Sequence, residues 1–159
     1  MKTLDVILHN EWKQVMAALA VSLLMGTTQT LRAADIYWTN TTGGNWSVAA
    51  NWNTGTVPGA ADHVFVVSNG TYTINLDTNA TVASLTLGAA SGQHTISNFN
   101  RTLTLNGDSL LGSNAVFIQA GGTIAGTGQL NVLGTLNWHG GTISGALTVV
   151  PGGAVAVDG

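Results

Sequence analysis

The feature that most constrains this chain is a rhythm of short apolar pieces broken by glycine and asparagine. Gly122-Thr-Ile-Ala-Gly126 returns as Gly141-Thr-Ile-Ser-Gly145, nineteen positions later. Leu85-Thr-Leu87-Gly88 is echoed by Leu103-Thr-Leu105-Asn-Gly107, eighteen positions later. A period near twenty with two or three short strands per repeat marks a β-solenoid. A single coil cannot bury its apolar face alone, so coils must stack. Thr, Val, Ile and Leu suit the stacked strands, and glycine suits the corners.

Strand-like pieces fall at 35–38, 63–67, 72–76, 82–87, 94–97, 102–105, 115–119, 122–125, 129–133, 135–138, 142–144, 146–150 and 154–157. Each is bounded by Gly, Asn or Ser, the usual turn residues. His63-Val-Phe-Val-Val67 is continuously apolar after the histidine and predicts burial on both faces. No helical period follows residue 34. An antiparallel sandwich also uses many short strands. Its hairpin dipeptides are few here, Asn69-Gly70 and Asn106-Gly107. The expected fold is therefore all-β, a parallel β-helix with room for roughly five coils after Val64.

Residues 1–14 are polar, and Val15 to Met25 (VMAALAVSLLM) is apolar. That run is shorter than the ~20 residues a membrane span needs. It matches the core of a signal peptide, expected to be helical, with cleavage after Ala33. Asp5 and Glu11 are unusual in such a leader, and a helix packed on the β domain is the competing expectation. The predicted organisation is a signal peptide at 1–33, an N-terminal cap at 34–62 and solenoid repeats at 63–159. The expected location is secreted or at the cell surface.

Beyond residue 33 the chain keeps one cation, Arg101, against Asp35, Asp62, Asp77, Asp108 and Asp158, a net charge of −4 with histidines neutral. Nucleic-acid binding needs several Lys or Arg and is not expected. An anionic membrane surface is disfavoured for the same reason, and no membrane insertion is expected after signal cleavage. With 45% hydrophobic residues the chain is a folding sequence despite its low charge. It has no cysteine, which removes disulfides and thiolate metal sites.

Three of the five tryptophans, Trp38, Trp46 and Trp52, crowd into the cap segment beside Asn45 and Asn51. Indole faces stack on sugar rings, so these three are the candidate ligand-binding residues. The competing expectation is a lid: terminal coils of a solenoid need covering. In that role Trp46 and Trp52 are core, and Asn45 and Asn51 hold loop backbone.

The remaining polar groups are sparse. Asp62 suits a strand-capping carboxylate. Asp77-Thr-Asn79 is half of a calcium loop at most, and turn formation explains it better. His63, His94 and His139 are expected to be isolated from one another and from acids, and no pair sits at metal-ligand spacing. No nucleophile elbow is present. Paired-carboxylate chemistry would have to use residues such as Asp77 and Asp108, with nothing to tune either. No catalytic residue, metal or cofactor is therefore expected.

The stretch GNWSVAANWNTGTVPGAADHVFV, followed by YTINLDTNATVASLTLG, resembles the N-terminal part of secreted bacterial β-helix proteins with repeats of the autotransporter-associated β-strand type. Trp46, Asn51, Trp52, Val57, Pro58, Asp62, Val64 and Val66 are also similar, more loosely, to the opening of a G8-type domain. The resemblance spans about residues 36–90. It implies a right-handed parallel β-helix on an exported, often much longer protein, with adhesion or glycan contact in some relatives. It transfers no catalytic residue.

The expected role is thus a non-catalytic, surface-presenting segment of an adhesin-like protein. The alternatives are a carbohydrate-binding module using the tryptophans, or the N-terminal part of a polysaccharide-active enzyme. The chain stops at Asp158-Gly159 directly after a strand-like piece. Its partners are accordingly expected to be an extracellular glycan or further coils of the same protein.

Overall fold

The computed structural model describes residues 33–158. Apart from Ala33, the expected signal peptide lies outside the described residues.

The described chain winds as a β-solenoid. A first, partial coil holds β1 (Asp35–Tyr37) and β2 (Gly44–Asn45), followed by a 3-10 turn at Ala49–Asn51. Four complete coils follow. The first is β3 (His63–Val66), β4 (Tyr72–Asn75) and β5 (Ala80–Val82). The second is β6 (Ser84–Leu87), β7 (His94–Asn98) and β8 (Thr102–Leu105). The third is β9 (Ser109–Leu111), β10 (Ala115–Gln119) and β11 (Thr123–Ala125). The fourth is β12 (Gln129–Val132), β13 (Thr135–Trp138) and β14 (Thr142–Ile143). A last partial coil carries β15 (Ala146–Val149) and β16 (Ala154–Val157).

From β3 onward every third strand stacks, and the partial first coil adds β1 and β2, which makes three parallel sheets. The first is β1-β3-β6-β9-β12-β15, the second β2-β4-β7-β10-β13-β16, and the third β5-β8-β11-β14. Among the described residues the only antiparallel contact is an isolated bridge between Trp38 and Trp52. This rules out the sandwich, which is built from hairpins.

Alternation sets the inside and the outside. In β3, Val64 and Val66 are buried, His63 is exposed and Phe65 is half-buried. The expectation of burial on both faces is therefore corrected. Phe65 lies on the outer face, stacked on Tyr37 with ring centroids 4.9 Å apart and planes 18° from parallel. Inward residues form columns along the solenoid axis. Ile74, Ile96, Phe117 and Leu136 stack in register through the second sheet. Val66, Leu87, Leu111 and Val132 stack through the first. All eight are buried. Burying such a side chain fully contributes ~1.5–3 kcal/mol, so the columns are the main source of cohesion.

The register tests the two sequence echoes. Thr123 pairs with Thr142 and Ile124 with Ile143, so the nineteen-residue echo is one coil stacked on the next. The eighteen-residue echo is not. Leu85 in β6 pairs with Val64, whereas Leu103 in β8 pairs with Ala80 and Ile124. The two leucines sit on different faces of a single coil. Residues 82–87 are also not one strand: the chain turns at Ala83, whose N–H donates to Asp62 O, and separates β5 from β6.

Coil length varies. Phe65 pairs with Thr86, Thr86 with Leu110, Leu110 with Asn131, and Asn131 with Thr148. The longest of these offsets, from 86 to 110, brings β9, which carries Ser109 at an inward position. Its hydroxyl accepts from Leu85 N–H at 3.0 Å and donates to Gly107 O at 3.1 Å. A buried hydroxyl is tolerated there because both of its roles are filled.

Candidate functional site

The partial first coil positions the three tryptophans. β1 lies on β3 with Ile36 over Val64, and the pairing continues as Trp38 N–H donates to Phe65 O. β2 lies on β4, and Trp46 N–H donates to Asn75 O. The 3-10 turn then brings Trp52 back to bridge Trp38.

The indoles pack edge to face. Trp52 meets Trp38 with centroids 5.0 Å apart at 87°, and Trp46 with centroids 4.8 Å apart at 70°. Trp38 and Trp46 are 0% exposed and Trp52 is 2% exposed. A sugar-stacking platform needs ring faces open to solvent, and none of the three offers one. The candidate ligand-binding role of Trp38, Trp46 and Trp52 is corrected on that ground. They belong to the same core cluster as Val64, Val66 and Ile74 of the first complete coil, the position expected of a lid.

Asparagines hold the lid's backbone. Asn51 Nδ2 donates to Asn45 O at 3.0 Å, and Asn51 Oδ1 accepts from Asn40 Nδ2 at 3.0 Å. Asn40 Nδ2 also donates to Gly43 O at 2.7 Å, and Asn40 Oδ1 accepts from the N–H and hydroxyl of Thr42. The Asn51 role was legible in the sequence. Asn40, the hub of the loop, was not singled out, although its place at the head of Asn-Thr-Thr-Gly-Gly is a turn signal. Gly43 is required where it stands: its φ is +84°, and a Cβ would lie 2.5 Å from Thr73 O.

The tryptophan N–H groups are unequal. Trp38 Nε1 donates to Asn40 O at 2.6 Å, and Trp52 Nε1 donates to Trp46 O at 2.9 Å. Trp46 Nε1 is buried with no partner. Trp52→Phe strands a buried carbonyl, whereas Trp46→Phe removes an orphan donor. Trp46→Phe is therefore expected to be milder than Trp52→Phe by about 1 kcal/mol, measured by urea unfolding of the two variants.

The aspartates bind backbone and neighbouring coils. Asp62 accepts from Gly59 N–H at 2.8 Å and Ala34 N–H at 3.2 Å, as expected of a capping carboxylate. Asp108 accepts from Gln129 N–H at 3.1 Å. Asp77 accepts from Ser47 N–H at 2.9 Å and the Ser47 hydroxyl at 2.5 Å, which clamps the cap to the first complete coil. Asn79 serves a different coil, accepting from Thr102 N–H. The Asp77-Thr-Asn79 stretch thus braces two junctions.

At Asp77, partial burial pushes the carboxyl up. The Ser47 hydrogen bonds, helped by Arg101, outweigh that and hold it below the ordinary value. A carboxyl depressed in the fold contributes stability above its unfolded pKa and loses it as pH falls through the folded one. The clamp is therefore expected to be intact above about pH 4 and to fail in stronger acid. Asp77→Asn should cost about 1 kcal/mol at neutral pH and flatten the acid limb of a stability profile measured by denaturant unfolding.

One histidine departs from expectation. His139 is not isolated from acids: its Nδ1 lies 2.7 Å from Asp158 Oδ1. The two are nineteen residues apart and follow Trp138 and Val157, which are in register. Applied to polar residues, the repeat period would have found the pair. His94 is fully buried. His63 stays on the outer face, with Nδ1 2.8 Å from Ser84 Oγ.

Among the described residues, no group of three or more His, Cys, Asp or Glu gathers as a metal site. No helix there is long and apolar enough to cross a membrane. Compared with family models, curated proteins and solved structures, the chain has no match in any of the three.

Proposed function

We propose that this chain is a non-catalytic, surface-presenting solenoid segment of an exported, adhesin-like protein. The observation that carries the proposal is how its few polar side chains are used. Asp62, Asp77 and Asp108 are bonded to backbone or to a neighbouring coil, and His139 and Asp158 are bonded to each other. Acid–base catalysis needs such groups converging on a common reacting centre. Here they brace turns and coil junctions along the stack. The indoles that would have served a sugar are spent on the core.

Export rests on the leader-like run from Val15 to Met25 and the Ala33 junction. Membership of the β-helix proteins with autotransporter-associated β-strand repeats rests on the resemblance over residues 36–90. In this role the solenoid acts as a stiff spacer or display arm, each coil adding length at fixed cross-section.

The test is expression of the full chain in a bacterium with an intact export pathway. Mass spectrometry of the exported material should give a species starting at Ala34, and a glycan array probed with it should stay at background. Retention in the cytoplasm with residue 1 intact would refute export. Reproducible binding to one glycan class would replace the structural role with a recognition role.

A further inference from the structure

His94 is the one titratable side chain in the solenoid core whose two ring nitrogens are both engaged by backbone. It opens β7 and is 0% exposed. Nδ1 lies 3.2 Å from Ala89 N, and Nε2 lies 2.8 Å from Ser68 O. A backbone N–H only donates, so Nδ1 must be the bare acceptor. Nε2 then carries the hydrogen and donates to Ser68 O. The neutral ring satisfies both contacts; the protonated ring cannot.

The two contacts join different corners. Ser68 lies in the 67–71 corner, between the first and second sheets in the first complete coil. Ala89 lies in the 88–93 corner, one coil further on. The corners also bond directly, Gly70 N–H to Ser91 O and Gln93 N–H to Thr71 Oγ1. Ser68 O accepts a second bond from Tyr72 OH at 3.0 Å, and the Tyr72 ring packs edge-on to His94 with centroids 4.9 Å apart. Ser68 Oγ donates to Trp38 O, which carries the connection into the tryptophan lid.

No charge nearby would welcome an imidazolium. The 67–71 and 88–93 corners, the 112–114 turn, β10 and cap residues 38–41 contain no titratable side chain. On β4 the titratable group is Tyr72, whose phenol burial pushes up, so it stays neutral in acid. β7 itself carries no second titratable group.

We propose that His94 is an acid-operated latch: a proton at Nδ1 breaks the bond to Ala89 N–H, buries an uncompensated charge and parts the two corners, the first of which holds the lid through Ser68. The sign follows from linkage. In the closed fold Nδ1 faces a backbone N–H and Nε2 a carbonyl, so a second ring proton finds no acceptor there, whereas the unfolded chain leaves Nδ1 open to it; acid therefore favours opening.

The test is unfolding of the full chain from about pH 7.5 to about pH 5, spanning the ordinary histidine range. The folding constant should fall by up to about tenfold per pH unit below that range, the slope for one extra proton bound by the unfolded chain. His63→Gln and His139→Gln, both on the surface, should keep this slope, and His94→Gln should lose it. An unchanged slope in His94→Gln overturns the latch. Should that variant not fold, imidazole nitrogen spectra and amide exchange of the native chain decide. The latch requires the Nε2–H tautomer in the closed fold and joint loss of Ala89 amide protection with acid. A doubly protonated His94 beside a still-protected Ala89 amide overturns it.

Discussion

Trp52→Ala is expected to lower stability by about 3–5 kcal/mol, the range for emptying a buried aromatic site. Trp52 holds more of the lid than its neighbours because it touches both other indoles and closes the bridge to Trp38. Its removal also leaves Trp46 O without its donor. The site cannot collapse freely. Trp38 is tied to Phe65 O and Trp46 to Asn75 O, both on the coil beneath. The cavity should therefore stay open in part, which places the cost toward the upper end of the range. Urea unfolding gives the magnitude, and near-ultraviolet circular dichroism reports whether Trp38 and Trp46 lose their fixed packing. A loss under about 1 kcal/mol, typical of a surface substitution, would mean that the lid is not part of the core.

The second large effect is expected at Gly126. It follows β11, has φ +122°, and a Cβ there would lie 1.9 Å from Leu105 O on the coil before. Parallel coils stack corner on corner, so the side-chain position is occupied by the neighbouring backbone. Gly126→Ala combines a backbone conformation costing roughly 1–3 kcal/mol for a non-glycine residue with a contact that requires the coils to part. Gly55 separates the two terms. It has φ +66° but nothing within 4 Å of a Cβ, so Gly55→Ala should show the conformational cost alone. Denaturant midpoints for the pair should differ clearly, with Gly126→Ala the worse. Equal midpoints would mean that the corners are not in contact.

The sequence reveals the solenoid wherever alternation and spacing are both clean. β8, β10, β13 and β16 fall where Thr102–Leu105, Ala115–Gln119, Thr135–Trp138 and Ala154–Val157 predict them. β9 escapes because an inward serine breaks the apolar pattern, and the long coil before it upsets the period. β5 and β6 merge in the sequence because the corner at Ala83 uses neither glycine nor proline. The Leu85 and Leu103 echo misleads for a related reason: each face of a coil selects the same alternation, so sides of one coil resemble successive coils.

At the candidate site, composition points to the tryptophans and stacking decides their role. Three indoles among asparagines suit both a sugar platform and a lid. The choice depends on whether the partial first coil lies on Val66 and Leu76 or swings clear, which is a matter of tertiary contacts. The His94 latch is less legible still, since Ser68 and Ala89 become its partners only once two corners are stacked.

Spin labels test most directly whether the coils stack in parallel at the observed register. The chain has no cysteine, so paired substitutions label cleanly. Thr102 and Thr123 are in register on neighbouring strands of the third sheet, whereas Thr86 and Thr104 lie on different faces of one coil. Labels at 102 and 123 should show strong dipolar broadening, as neighbouring strands lie ~4.8 Å apart. Labels at 86 and 104 should show little. The reverse pattern would contradict the stacking on which the lid, the corners and the latch all depend.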